Sequence, residues 1–183
     1  LLIELEGHPD NAVPSFHGGF AVCAPSGGRD EAMTFSRVEV GPELSFVALV
    51  PDLRLSTETA RQLLPRELPF RHAVENVQRS SRIVAAFCTG DYASLRGMFT
   101  DHLHQPFRRA LIPGFAEILG AADEAGALGS FLSGSGSTLM AAALDHVENI
   151  SSAMLSAAAK AGLPARVMVL QADNAGARVL EKS

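Results

Sequence analysis

Residues 133–138 read Ser-Gly-Ser-Gly-Ser-Thr, a run of small residues set between two short apolar stretches, Leu128 to Leu132 and Thr138 to Leu144. Apolar runs of that length bounded by turn-formers read as buried strands. Leu44 to Val50 is a third such run, and Arg166 to Gln171 a fourth. Helical patterns fill the long interval after the first strand and the shorter one before the last. From residue 44 the order is therefore β, helices, β, β, α, β. This is the split βαβ arrangement of a ferredoxin-like domain, with extra helices in the first crossover, and the expected fold class is α+β.

Three apolar stripes mark helices in that first crossover: Val74, Val77, Val84, Ala85 and Cys88; Leu95, Met98, Phe99 and Leu103; Phe115, Ile118, Leu119 and Ala122. The last helix has an N-terminal capping pattern, Asp145 with Glu148 three residues on. Its apolar face is Val147, Ile150, Met154, Ala157, Ala158 and Ala161, and Gly162 then Pro164 end it. Upstream, Gly18 to Ala24 reads as a strand, Pro25-Ser26-Gly27-Gly28 as a turn, and Met33 to Val40 as a partner strand. Gly41-Pro42 breaks the pattern. The expected division is residues 1–42, the tail of one domain, and 43–183, a second.

A length of 183 residues with 47% hydrophobic content suffices for one sizeable core, or one domain plus part of another. The net charge of −5 argues against a nucleic-acid or anionic-membrane surface. No run approaches the roughly 18 apolar residues of a membrane span. Cys23 and Cys88 lie in apolar stretches and read as buried thiols. No secretory signal precedes them, so a cytoplasmic setting is expected. The chain opens Leu1-Leu2-Ile3-Glu4-Leu5 without Met, which reads as the C-terminal portion of a longer protein.

Several polar groups carry chemistry. Glu6-Gly7-His8-Pro9-Asp10-Asn11 packs carboxylates, an imidazole and an amide into a turn whose geometry Pro9 restricts. Such a set suits gripping a small polar ligand, and equally suits satisfying backbone groups at a helix end. The loop 133–138 is either a tight hairpin connection or a cradle whose backbone N–H groups approach an anion. Arg61, behind a helix start capped by Ser56 or Thr57, and Arg108 are either solvated charges or bidentate grips for a carboxylate or phosphate. His17, His72, His102 and His146 do not cluster at ligand spacing, and no metal site is expected.

Taken together, these segments resemble the homoserine-kinase branch of the GHMP small-molecule kinases. Residues 6–11 with Pro14 and Gly18-Gly19 are similar to that family's central motif. Leu55-Ser56-Thr57-Glu58-Thr59-Ala60-Arg61 with Leu64-Pro65 resembles the segment beside its amino-acid substrate. His104-Gln105-Pro106-Phe107-Arg108 with Ile112-Pro113-Gly114 resembles its second arginine segment, and residues 132–138 its third motif. The resemblance implies an ATP-dependent kinase that phosphorylates the hydroxyl of L-homoserine, feeding threonine synthesis. It places His8, Asp10, Asn11, Thr57, Arg61 and Arg108 at the substrate, with Asn11 at the reacting centre, and Ser133, Gly134, Ser135 and Gly136 at the nucleotide phosphates.

An amide cannot act as a general base at neutral pH, so that chemistry rests on positioning and charge stabilisation. The family's principal Gly/Ser phosphate loop does not occur in residues 1–183, and its Mg²⁺ ligands are expected upstream of Leu1. The chain alone is accordingly expected not to turn over. No nucleic-acid or membrane partner is implied, and a homodimer stays open. The alternatives are a GHMP-type kinase of another small alcohol, which would not need two arginines for an α-carboxylate, and a non-catalytic amino-acid-binding regulatory module.

Overall fold

The computed structural model describes residues 9–26 and 33–180. Helix α1 (Pro9–His17) leads into a two-stranded antiparallel ribbon of β1 (Phe20–Pro25) and β2 (Met33–Val38), with Phe20 opposite Val38 and Pro25 opposite Met33. Pro9, Asp10 and Asn11 are thus the first turn of a helix, where the sequence reading had a turn. Proline fits that position because its missing N–H would have no intrahelical partner there. Glu6, Gly7 and His8 lie outside the described residues, as do Gly27 and Gly28 of the expected turn.

The remaining strands, β3 (Ser45–Pro51), β4 (Gly129–Leu132), β5 (Leu139–Ala143) and β6 (Ala165–Gln171), form one antiparallel sheet in the order β4-β5-β3-β6. With the helices in sequence order, this is the split βαβ topology that the strand pattern predicts. The continuous apolar run at β3 follows from its central place, because side chains on both faces are covered. Val47 and Leu49 pack with Leu139, Ala141, Ile118, Ala122, Ile150 and Met154, under α5 (Phe115–Glu124) and α6 (Val147–Lys160). On the other side Leu44 and Ala142 pack with Leu128, Phe87, Tyr92 and Leu95.

Before α5 come α2 (Thr57–Gln62), the long α3 (Phe70–Thr89) and the single-turn α4 (Gln105–Arg108). In α3 the buried residues are Ala86 and Phe87, with Ile83 packed beside them, whereas Val74, Val77 and Cys88 are exposed. The bulky Phe87 ring, stacked on Phe20 at 4.0 Å, turns toward the core in place of the smaller Val84 and Cys88. Cys88 is therefore not a buried thiol, and Cys23 is only half-buried.

The stripe Leu95 to Leu103 is not a helix. A 3₁₀ turn, Tyr92–Leu95, gives way to turns that stack Phe99 on Phe131 at 4.7 Å and leave Leu103 exposed. Asp145 does not cap α6 either: His146, at φ 63°, is the cap residue and no side chain bonds the first turn.

After β6 the chain returns to the N-terminal ribbon. The Asn174 amide closes on Val40, accepting from its N–H at 2.9 Å and donating to its carbonyl at 2.8 Å. Gly19 N–H donates to the Asp173 carbonyl at 2.8 Å, and Ala177 N–H to that of Phe16 at 3.0 Å. Backbone meets backbone here: a Cβ on Gly18 would lie 2.6 Å from the Gly176 nitrogen, so no other residue fits.

Candidate functional site

The loop 133–138 is the β4–β5 hairpin connection, closed internally by Ser133 N–H to Thr138 O and Gly136 N–H to Ser133 O, both 3.0 Å. Gly134 and Gly136 take φ values of 56° and 95°, backbone that a side chain disfavours. The loop is also held from outside at successive points. Ser137 Oγ donates to the Leu53 carbonyl at 2.6 Å, and the Thr57 and Ser135 hydroxyls meet at 3.4 Å. Arg108 Nη1 donates to the Gly134 carbonyl at 3.0 Å, and the Leu132 N–H donates to Gln105 Oε1 at 2.9 Å. Among the described residues nothing accepts from the Gly134 or Ser135 N–H. The loop is thus both a hairpin and a rigidly held group of small residues with free amides.

Arg108 is buried at 8% exposure, so it is not a solvated surface charge. Its Nε donates to the Ala60 carbonyl at 3.2 Å, tying it to α2. Burial lowers its pKa, the Asp101 carboxylate opposes that, and the nearby Arg61 guanidinium lowers it further. Nη1 also lies 3.3 Å from His104 Nδ1. Burial pushes the His104 pKa down, which keeps that nitrogen free to accept. Arg61, exposed in the last turn of α2, thus lies near enough to Arg108 for the two charges to repel, and an anion between them would relieve that repulsion.

The helix that carries Arg108 is set by Asp101. Its carboxylate accepts from the Leu103, His104 and Gln105 N–H groups at 2.8, 2.7 and 2.7 Å, and from Asn76 Nδ2 at 2.7 Å. Burial works to raise the Asp101 pKa, but these donors outweigh it and the pKa is lowered. Behind it Glu75 is drawn down to about 2 by its hydrogen bonds to Arg71 and His102. His102, 2.8 Å from Glu75, stacks on His72 at 4.2 Å. Asp101, Gln105, Asn76 and Glu75 were not singled out from the sequence. An Asp four residues ahead of Gln105, with Pro106 in the first turn of a short helix, was the available signal.

The structure thus brings Thr57, Arg61, Arg108, Gly134 and Ser135 together. Asp10 and Asn11 are exposed on the first turn of α1, and among the described residues no hydrogen bond joins them to this cluster. His8 lies outside the described residues. No group of three His, Cys, Asp or Glu side chains converges among the described residues as a metal-ligand set would. No helix among them is long and apolar enough to cross a membrane.

Comparison with known proteins finds the same fold and a related sequence in characterised kinases. Residues 83–161 match the GHMP kinases C terminal family. The homoserine kinase of Aquifex aeolicus is 40% identical over 180 residues, 98% of this chain and 60% of that protein. That of Moorella thermoacetica is 41% identical over 180 residues, again 98% and 60%. A crystal structure of homoserine kinase from Cytophaga hutchinsonii superposes with a TM-score of 0.84 at 28% identity, covering 92% of this chain and 53% of that one. The chain thus spans about 60% of the length of the curated relatives it matches. The family match, the shared topology and this similarity along nearly all its length identify a GHMP kinase C-terminal domain in this chain.

Proposed function

We propose that the protein carrying this chain transfers the γ-phosphoryl group of ATP to the hydroxyl of L-homoserine, giving O-phospho-L-homoserine. The observation that carries the reading is the convergence of the buried Arg108 and of Thr57 on the Gly/Ser loop, with the Arg61 guanidinium near enough to Arg108 to act on its charge. In this reading Arg61 and the uncommitted Nη2 of Arg108 hold the substrate carboxylate. Thr57 lines the site, and His8 and Asp10 orient the ammonium head. Of the loop residues Ser133, Gly134, Ser135 and Gly136, the first and last close the loop with their own N–H groups, and Gly134 and Ser135 present theirs to the nucleotide phosphates. Asn11, an amide, positions the hydroxyl and takes no proton. Residues 1–42 belong to the end of one domain and 43–183 to a second.

Mg²⁺ neutralises phosphate charge in such reactions. Among the described residues no three His, Cys, Asp or Glu side chains converge to hold it, and its ligands are expected in the part of the relatives' length that this chain does not span. The contribution of this chain is placement: an amino acid held by its carboxylate, with its hydroxyl facing a phosphate-binding backbone.

The test is a coupled ADP-release assay on the full-length protein with ATP and Mg²⁺. L-Homoserine should support turnover, and 3-aminopropan-1-ol, which lacks only the carboxylate, should lose about a hundredfold in kcat/KM, the worth of a charge-assisted contact of about 3 kcal/mol. No ADP release on homoserine, or equal use of the two alcohols, overturns the reading.

A further inference from the structure

We propose that Gln105 is a positioning residue for the Gly/Ser loop, fixing the backbone from which the loop departs to the same short helix that carries Arg108. Its side chain is buried at 9% exposure, and both ends of its amide are used. Oε1 accepts from the Leu132 N–H at 2.9 Å, and Nε2 donates to the Phe99 carbonyl at 3.0 Å. Leu132 is the last residue of β4, an edge strand paired only with β5. An edge strand normally gives its outward N–H groups to water. At 3% exposure Leu132 has no water to give to, so without Gln105 its N–H would be buried and unpaired.

Gln105 and Arg108 are three residues apart on α4, on one face of the helix. One sends its side chain to Leu132 N–H and the other to Gly134 O. The helix therefore grips the loop at two points, one before it begins and one at its tip. The loop cannot shift relative to the arginine without breaking a buried hydrogen bond. The role of Gln105 in turnover rests on the proposed reading of this loop as a phosphate cradle, whereas its grip on the backbone does not.

Two variants and two readouts test this on the full-length protein. Gln105→Met keeps length and removes both hydrogen bonds; Gln105→Glu keeps an acceptor for Leu132 N–H. In Gln105→Met, KM for ATP should rise about tenfold, while KM for homoserine changes by less than about twofold. Gln105→Glu should recover most of that loss. Amide hydrogen exchange across residues 133–138 should quicken in Gln105→Met, with α6 as protected as in the wild type, and should stay slow in Gln105→Glu.

A folded Gln105→Met protein with wild-type loop exchange overturns the proposal, as does equal elevation of both KM values. If Gln105→Met does not fold, fast loop exchange in a folded Gln105→Glu protein overturns it alone. Because exchange needs no substrate, a protein inactive on homoserine would sink the functional reading while leaving the grip of Gln105 measurable.

Discussion

At the scale of single residues, Arg61 and Arg108 carry the same charge into one site by different means. Arg61 is exposed and makes no described hydrogen bond through its side chain, so Arg61→Ala should leave the fold intact and raise KM for homoserine about ten- to a hundredfold, from a loss of roughly 1.5–3 kcal/mol. KM for ATP should hardly move. Arg108→Ala should behave otherwise, because this side chain also supports Ala60 and Gly134. Both KM values should rise, and the melting temperature should fall. Lysine would not rescue it, since one ammonium cannot span both carbonyls in the guanidinium's geometry. Steady-state kinetics beside thermal melts separate the two.

Gly134 distinguishes the two meanings of its loop. A Cβ there would point into open space, and only its φ of 56° disfavours a side chain. Asparagine tolerates that conformation. If the loop merely turned the chain, Gly134→Asn would be silent; as a phosphate cradle it should raise KM for ATP several-fold by blocking backbone approach. These residues were legible because arginine spacing and glycine clustering are visible in one dimension. Gln105 was not, because what makes it matter is the burial of an edge-strand N–H 27 residues away.

Among elements, the junction of α3 with α4 gathers three groups whose protonation is shifted by folding. Glu75, drawn down to about 2, and Asp101, also lowered, bind fewer protons folded than unfolded as acid is added. His104, lowered by burial, does the same below its ordinary 6.5. For each, unfolding takes up protons, so stability is lost as pH falls. The loss should begin below about pH 6.5 through His104 and deepen below the ordinary carboxylate values of 3.8 and 4.5. Urea midpoints from pH 7 to 3 should trace it. Asp101→Asn should flatten the acid limb while lowering stability at neutral pH, because an amide cannot accept at all the N–H groups the carboxylate serves. An acid limb as steep as the wild type's would count against this account.

At this scale strands were the more legible elements, since buried runs between glycines announce themselves. The helical stripes misled where Phe87 outweighed smaller neighbours and where Phe99 had to reach Phe131. Apolar spacing says that a face exists; only packing says which one turns inward.

Across the whole molecule, the order of strands in the main sheet followed from the sequence pattern, whereas the return of residues 173–177 to the N-terminal ribbon did not. No periodicity marks that segment; its contacts to the ribbon are backbone closures, the Asn174 amide and the Arg37 guanidinium, which donates to the Asn174 carbonyl. Asn174→Ala removes both bonds to Val40 and should cost about 1–3 kcal/mol. Exchange should quicken across β1 and β2 with α6 unchanged, and equal quickening everywhere would mean that the ribbon and main sheet unfold as one. The Val40–Asn174 closure has a consequence for synthesis in the cell. The two residues are 134 positions apart. At about 5–20 residues per second, the ribosome leaves Val40 on the order of ten seconds before it makes Asn174. During that wait the ribbon has emerged with its closing partner still unmade. The nascent chain is then most in need of a chaperone at the ribbon, and translation speed between the two residues sets how long that need lasts.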